Sequence, residues 1–180
     1  MRKILLLFAC AAISMGATAS EFYLGGSLGL WRNETSKSTS LEIAPDFGVN
    51  LTPKWSIGTS IGYSHNNSDG YSLNLINLSP YARYNYFTSG IFTAFVDGGV
   101  SAGFGKSRYE GLDSDTAVEW SIGLMPGFSL SLAEHLSMEA HVGFLGYQGA
   151  NSVAEYSGSE KGYGFSLSSG NLSFGFYYTF

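Results

Sequence analysis

Residues able to do chemistry are sparse in this chain, and most of the charged ones share the polar face of segments in which apolar and polar residues alternate. Seven residues make up this set: Glu42, Asp46, Arg83, Asp97, Glu119, Glu139 and His141. Carboxylates, a guanidinium and an imidazole on one interior face could form an ion or proton path. They could instead form a salt-bridge network that fills the interior, because a charge in a confined space needs a partner. We favour the network and expect Arg83 to pair with Asp46, Asp97 or Glu139.

Nucleophilic chemistry has one candidate, the sequence His135-Leu136-Ser137, which places an imidazole base two residues from a hydroxyl. The chain has no other clustered serine, histidine and acid, and no two histidines have the spacing of metal ligands. The single cysteine, Cys10, lies inside the amino-terminal apolar run. We therefore expect no catalytic residue, no metal site and no cofactor.

The elements that must position these residues are β-strands, because the alternation has period two along most of the chain. Eight strands are predicted, at about residues 22–30, 41–51, 55–63, 73–86, 91–105, 117–132, 136–147 and 163–180. The connections at 52–54, 87–90 and 133–135 are short, whereas those at 32–40, 64–72, 106–116 and 148–162 are long and polar. Short turns on one rim and long loops on the other are typical of transmembrane β-barrels.

The first 19 residues have the pattern of a signal peptide. Arg2 and Lys3 precede the apolar run at 4–13, and the small residues Ala17-Thr18-Ala19 predict cleavage before Ser20, leaving residues 20–180 as one exported domain. Those 161 residues carry seven Lys or Arg and 14 Asp or Glu, a formal charge of −7. This balance argues against nucleic acid as a partner.

Composition decides which face of the strands points outward. Only 13% of the residues are charged, whereas soluble domains have about 25%. The polar face carries small uncharged residues such as Ser56, Gly58, Ser101 and Gly103, where a lipocalin-like soluble barrel would carry Lys and Glu. Small residues suit the interior of a narrow barrel, and the opposite apolar face suits lipid. We therefore predict an all-β, eight-stranded antiparallel transmembrane barrel, with the soluble barrel as the alternative.

Three prolines, Pro45, Pro80 and Pro126, each lie six residues before the last strand residue ahead of a short turn. Proline cannot donate a hydrogen bond to a β-ladder, and a closed barrel has no free edge to accommodate it. Each proline is therefore expected to mark a bulge or a weakened strand pair.

Nearly all of the exported domain resembles the small outer-membrane β-barrel proteins of Gram-negative bacteria, including OmpA/OmpX-type barrels and porin-like domains of that size. The resemblance is carried by Ala-Thr-Ala at 17–19, Pro-Tyr-Ala-Arg-Tyr at 80–84, Met-Pro-Gly-Phe at 125–128, Gly-Phe-Leu-Gly-Tyr at 143–147 and Leu-Ser-Phe-Gly-Phe-Tyr-Tyr-Thr-Phe at 172–180. It implies an outer-membrane location. It also implies that Phe176, Tyr178 and Phe180 form the signal read by the barrel-assembly machinery.

The resemblance does not fix the function, because this family includes anchors, adhesins, small pores and a few lipid-modifying enzymes. Lipid A deacylase barrels use a His-x-Ser pair beside the outer leaflet, whereas Ser137 belongs to the short-turn rim and faces the lumen, so catalysis is the remotest alternative. We expect a monomer with a side-chain-filled lumen and a structural or surface-interaction role, adhesin-like and in contact with lipopolysaccharide or an extracellular ligand. A narrow pore for small solutes or ions is the alternative. The predicted loop contacts are Trp31, Arg32, Lys37, Lys106, Arg108 and Tyr109.

Overall fold

The structure is a computed structural model that describes residues 21–33, 38–68, 71–109, 112–152, 154, 161–166 and 173–180. Among these residues, no helix is long and apolar enough to cross a bilayer. β-strands account for nearly all of the described chain. The predicted signal peptide lies outside the described residues.

The strands form where apolar and small polar residues alternate, and each pairs with its neighbour in antiparallel order. They are β1 (Glu21–Asn33), β2 (Ser38–Asn50), β3 (Trp55–Ser68), β4 (Tyr71–Ser89), β5 (Phe92–Tyr109), β6 (Leu112–Ser131), β7 (Leu136–His141), β8 (Phe144–Ala150), β9 (Gly162–Ser166) and β10 (Ser173–Thr179). β1 to β6 follow one another around the wall as successive hairpins.

The wall closes through the last four strands. β7 pairs with the part of β6 next to the turns and with β10, and β10 pairs with β1 from Tyr23↔Thr179 to Ser27↔Gly175. β8 pairs with the other part of β6 and with β9. The seventh wall strand is therefore β7 with β8, and the eighth is β9 with β10. The result is a closed antiparallel barrel of eight strands, as predicted.

The two rims of the barrel differ, and we call them the turn end and the outer end. Tight turns close the turn end, where Thr52 Oγ1 accepts hydrogen bonds from the backbone of Lys54 and Trp55 at 3.2 and 2.9 Å. Gly90 takes a φ of 58° in the next turn, a left-handed conformation that favours glycine. In transmembrane β-barrels the short turns face the periplasm, so we expect the turn end there and the outer end at the cell surface.

The strands reach further towards the outer end than predicted. The polar segments 32–40, 64–72 and 106–116, which were expected to be loops, are largely strand. β4, β5 and β6 have 19, 18 and 20 residues, although a strand needs only about 9–11 residues to cross a bilayer. Above the membrane both faces of a hairpin meet water, so its sequence is polar throughout and the alternation that predicts a strand is lost.

The strand pairing is interrupted beside each of the three prolines, which confirms that expectation. Pro45 has no ladder partner on β3, and Pro80 has none on β5. Beside Pro126, β6 changes its partner strand: Gly127 pairs with His141 on β7, and Leu124 pairs with Leu145 on β8. Between these pairs, the three residues 142–144 face the two residues 125–126, so one residue is extra. The Val142 amide donates to the Pro126 carbonyl at 2.9 Å across this bulge. The bulge is also what divides the predicted seventh strand in two.

The outward face of the barrel is apolar along the membrane-spanning part of every strand. Residues such as Leu24, Phe47, Ile61, Ile122 and Phe176 are all more than 40% exposed in the protein alone. Aromatic pairs concentrate near the turn end, where the Trp55 and Tyr84 ring centroids are 4.8 Å apart and those of Phe92 and Phe128 are 6.0 Å apart. A lipid-facing surface with an aromatic girdle at the interface is what a transmembrane barrel presents.

Candidate functional site

The lumen is crossed in its turn-end half by a buried ionic cluster centred on Arg83. β4 and β5 place Arg83 directly opposite Asp97 in the ladder. Nε and Nη2 of Arg83 donate to the two carboxylate oxygens of Asp97 at 2.8 and 2.9 Å, and Nη1 donates to Glu139 Oε2 at 2.7 Å. Arg83, Asp97 and Glu139 are only 5%, 1% and 8% exposed. The guanidinium therefore holds one bidentate and one single charge-assisted pair away from solvent.

An aromatic ring and an imidazole complete this cluster. His141 Nε2 lies 2.8 Å from Asp97 Oδ2, so Asp97 is bound by both an imidazole and a guanidinium. Phe95 is fully buried, and its ring centroid lies 3.8 Å from the guanidinium carbon of Arg83. The same ring packs edge-on against His141, with ring centroids 5.3 Å apart. The Arg83 guanidinium is therefore stabilised by carboxylates at its edge and by a cation–π contact with the Phe95 ring at its face.

Three tyrosines surround the remaining acid, Asp46. Tyr81 donates to Asp46 Oδ1 at 2.9 Å and Tyr177 donates to Oδ2 at 3.4 Å. The Tyr23 and Tyr81 hydroxyls are 2.8 Å apart, so the three phenols and Asp46 form one connected group. Asp46 is buried and makes no ion pair with Arg83, whose guanidinium carbon instead lies 5.5 Å from the centroid of the Tyr81 ring. Phenol donors, and not a cation, therefore satisfy its carboxylate.

Glycines on neighbouring strands make room for these large rings. A Cβ atom at Gly58 would lie 2.6 Å from the Tyr81 hydroxyl, and one at Gly25 would overlap the Tyr177 ring. A Cβ atom at Gly127 would lie 2.6 Å from the Phe95 ring. The lumen-filling aromatic rings therefore pack against the small inward residues from which a narrow barrel is predicted.

We call this layer the septum, because it separates two cavities. It consists of Tyr23, Asp46, Tyr81, Arg83, Phe95, Asp97, Glu139, His141 and Tyr177. On its outer side lies a chamber of about 580 Å³, lined by serines, glycines and acids together with apolar and aromatic side chains such as Met125 and Phe144. On the turn side lies a vestibule of about 180 Å³. Glu139 and Tyr177 line both cavities, so the septum is about one side chain thick at those positions.

The structure brings together four of the seven predicted lumen residues: Arg83, Asp97, Glu139 and His141. Glu42 and Glu119 instead line the chamber above them. Of Arg83's three expected partners, Asp97 and Glu139 contact it and Asp46 does not. In the described part of the chain, no group of three or more His, Cys, Asp or Glu residues is arranged to hold a metal ion.

Two septum residues, Tyr23 and Phe95, are missing from the large inward side chains that the sequence predicts to fill the lumen, which are Tyr81, Arg83, Met125, Glu139, His141 and Tyr177. Both lie on the polar face of their strands, Tyr23 in phase with Gly25 and Phe95 in phase with Asp97. Strand parity could therefore have identified them.

Five of the six predicted surface contacts lie on strands, not on loops. Trp31 and Arg32 belong to the outer end of β1, and Lys106, Arg108 and Tyr109 belong to that of β5. Lys37 lies outside the described residues. Their role in binding stays a prediction.

The residues of the predicted assembly signal lie on the outward face of the last strand and at the chain end. Phe176, Tyr178 and Phe180 are 59%, 46% and 68% exposed. The Phe180 amide donates to the Phe22 carbonyl at 2.8 Å, which ties the chain end to β1. His135 packs against the Tyr178 ring at 5.6 Å, and Ser137 lines the vestibule at the turn end.

A sequence model of the outer membrane protein beta-barrel domain matches residues 4–180. The chain belongs to this family. Its predicted location in the outer membrane is thereby confirmed. No curated protein matches the chain.

Two solved barrels have the same fold as this outer-membrane protein. Neisserial surface protein A (NspA) is 13% identical with a TM-score of 0.53, over 92% of this chain and 99% of that one. The N-terminal β-barrel domain of Pseudomonas aeruginosa OprF is 16% identical with a TM-score of 0.56, over 89% of this chain and 97% of that one. At these identities the likeness concerns the fold alone.

Proposed function

We propose that the protein is a closed structural barrel of the outer membrane that acts at the cell surface and does not conduct solutes. The observation that supports this most is the Arg83 cluster, which occupies the lumen between two cavities. A solute crossing the barrel would have to separate Arg83 from Asp97 or Glu139. Separating a buried pair leaves uncompensated charges and costs about 3–5 kcal/mol when no water replaces the lost partner.

Conductance across a planar lipid bilayer tests this proposal. Wild-type protein should give no sustained current, whereas Arg83→Ala should give brief, irregular openings because the septum then lacks its central side chain. Ser101→Ala, which changes the chamber wall and leaves the septum intact, should behave like the wild type. Steady, reproducible single-channel steps from the wild type would contradict the proposal and favour a narrow pore for small solutes or ions.

A second part of the proposal is contact with lipopolysaccharide through cations near the outer end. Lys106 and Arg108 follow Phe104 on the outward face of β5, and all three side chains are exposed. Phe104 suits the edge of the hydrocarbon layer, and Lys106 lies two strand residues, about 7 Å, beyond it. Phosphate groups of lipopolysaccharide occupy that level, and an ammonium or guanidinium binds them by charge-assisted hydrogen bonds.

Thermal unfolding with and without lipopolysaccharide tests this contact. Lipopolysaccharide should raise the unfolding midpoint of the wild type, and Lys106→Glu should reduce that increase. Lys54→Glu makes the same charge change at the turn end and should leave the increase unchanged. Equal increases for all three proteins would refute the contact.

The proposed function includes no catalysis. The one His-x-Ser pair, His135 and Ser137, lies at the turn end, opposite the rim that meets the outer leaflet. If lipid A were nevertheless a substrate, purified protein would remove or add an acyl chain, and Ser137→Ala would abolish that reaction.

A further inference from the structure

The outward faces of β3, β4 and β5 change from apolar to polar at one boundary near the outer end. The last apolar row consists of three residues that are neighbours in the ladder, Tyr63, Ile76 and Phe104. The next row outward consists of three further neighbours, His65, Asn74 and Lys106. Asn74 and Lys106 are exposed, and His65 is half-buried. This second row therefore lies where the outward face leaves the hydrocarbon layer.

The Asn74 side chain is held in one orientation by two donors from β3. Its Oδ1 accepts a hydrogen bond from the Tyr63 hydroxyl at 3.0 Å and lies 2.7 Å from His65 Nδ1. An amide oxygen only accepts, so His65 Nδ1 carries the hydrogen of this second bond. Oδ1 and Nδ2 diverge from one carbon, and Oδ1 is turned towards β3. Nδ2 is therefore turned away from β3, to the side on which β5 places Lys106.

Two donors thus meet on the lipid-facing surface without an acceptor from the described part of the chain. Among the described residues, the side-chain hydrogen bonds of Asn74 are those of Oδ1, and Lys106 has no ion pair. The described outward faces of β3, β4 and β5 carry no Asp or Glu. Directly paired residues have Cα atoms about 4.5–5.5 Å apart, so one phosphate group can accept from both Asn74 and Lys106.

We propose that Asn74 Nδ2 and the Lys106 ammonium form a seat for one phosphate group of an outer-leaflet glycolipid of the lipid A class. Tyr63 and His65 are positioning residues, because they hold the amide and leave Nδ2 available. The proposal rests on the proposed contact with lipopolysaccharide and deepens it, since it assigns the phosphate to a defined pair of donors. Charge-assisted hydrogen bonds from an ammonium and an amide suit a phosphate monoester.

The apolar row beside the seat favours a lipid over a free anion as its occupant. Ile76 and Phe104 are 60% and 56% exposed, and each lies two residues from a donor of the seat on the same strand. A phosphate bound to Asn74 and Lys106 would leave the acyl chains of its own molecule against these side chains. Inorganic phosphate would gain nothing from them.

Titration of the purified protein in detergent tests the occupant, with the thermal unfolding midpoint as readout. Bisphosphorylated lipid A should raise the midpoint of the wild type. The same lipid A without its phosphates should require an at least about tenfold higher concentration for the same rise, because it lacks the charged acceptor. Inorganic phosphate should give no rise. Equal responses to the two lipids, or to lipid A and inorganic phosphate, would overturn the proposal.

Variants test whether the two donors act together. Asn74→Ala and Lys106→Ala should each weaken the apparent affinity for lipid A about tenfold. Because both donors bind one phosphate, the double variant should lose clearly less than the product of the two single losses, about a hundredfold. Asn74→Asp keeps the acceptor for Tyr63 and His65 but repels phosphate, so it should weaken binding at least as much as Asn74→Ala. It also covers the case in which Asn74→Ala folds poorly.

Matched controls separate the seat from a general effect on the barrel. Asn67→Ala removes another exposed asparagine at the outer end and should leave the affinity within about twofold. Tyr63→Phe keeps the ring and removes its hydrogen bond to Asn74, so it should weaken binding about threefold. In an Asn74→Ala background, Tyr63→Phe should have no further effect, which a merely structural role of Tyr63 would not predict.

The seat and the general contact with lipopolysaccharide fail in different ways. Weaker binding by Lys106→Ala with unchanged binding by both Asn74 variants would overturn the seat and leave the contact standing. Unchanged binding by all of these variants would overturn both. Fully multiplicative losses in the double variant would also overturn the seat, because the two donors would then act independently.

Discussion

The half of the barrel next to the turn end and the half next to the outer end use the same strands but fill the space between them differently. In the first, Tyr81, Arg83, Phe95 and other large side chains lie over glycines and meet across the lumen. In the second, serines, glycines and acids line an open chamber, and large side chains such as Phe144 and Met125 form only part of its wall. The comparison teaches that alternation decides the fold, whereas the size of the inward residues decides whether a section of the lumen is a barrier or a compartment.

The two halves also differ in how the wall is closed. Next to the turn end, β10 joins β1 to β7 in a continuous ladder. Towards the outer end, the bulge beside Pro126 shifts the pairing of β6 from β7 to β8. The bulk of the stabilising contacts is therefore expected at the turn end, and the parts that can move at the outer end.

The largest effect of a substitution is expected where β10 pairs with β1 and closes the barrel at the turn end. Phe180→Asp should lower the amount of protein in the outer membrane several-fold and increase its degradation in the periplasm. The reason is that the assembly machinery is expected to read the terminal aromatic residue, which also joins the chain end to β1. Quantitative blotting of outer-membrane fractions measures the effect. Phe180→Tyr should assemble normally, and normal insertion of Phe180→Asp would contradict the prediction.

The septum should carry the next largest effect. Arg83→Ala should lower the free energy of unfolding by about 3–5 kcal/mol, because it leaves Asp97 and Glu139 buried without their cation. Urea titration of the protein in lipid vesicles measures the change. Ser101→Ala in the chamber should cost less than about 1 kcal/mol, because the site is open to solvent. Similar costs for the two variants would remove the distinction between the halves.

The smallest effect compares two glycines. A Cβ atom at Gly58 would collide with the Tyr23 and Tyr81 side chains, whereas nothing lies within 4 Å of one at Gly164 on β9. Gly58→Ala should therefore destabilise the barrel by about 1–3 kcal/mol through overpacking, and Gly164→Ala by less than about 0.5 kcal/mol. The same urea titration measures both. A larger cost at Gly164 would mean that the outer half is as tightly packed as the septum.

Much of the fold follows from the sequence, because a strand buried in lipid on one face must alternate. Strand parity predicts that Arg83, Asp97 and Glu139 share the inward face, and counting residues from the short turns puts all three in the lower to middle lumen. Strand parity could not predict which of Asp46, Asp97 and Glu139 contacts Arg83. That choice depends on the ladder register, which sets Arg83 opposite Asp97, and on phenols from other strands that satisfy Asp46.

The strand extensions above the membrane could not be predicted from the alternation of apolar and polar residues. The strand ends at the outer end meet water on both faces, so nothing in their composition distinguishes them from loops. The hydrogen bonds of Asn151 could not be predicted either, since the backbone groups of Thr116 and Val118 become its neighbours only when β6 and β8 pair.

The central claim is that the septum divides the lumen. The most direct test measures from which side of the membrane a thiol reagent reaches a cysteine in each cavity. Ser101→Cys in the chamber and Ser129→Cys in the vestibule, each in a Cys10→Ser background, would be exposed to an impermeant thiol reagent on one side of oriented proteoliposomes. We predict that Ser101→Cys reacts only from the outer side, however slowly, and Ser129→Cys only from the turn side. Reaction of Ser129→Cys with reagent added at the outer side would contradict the claim.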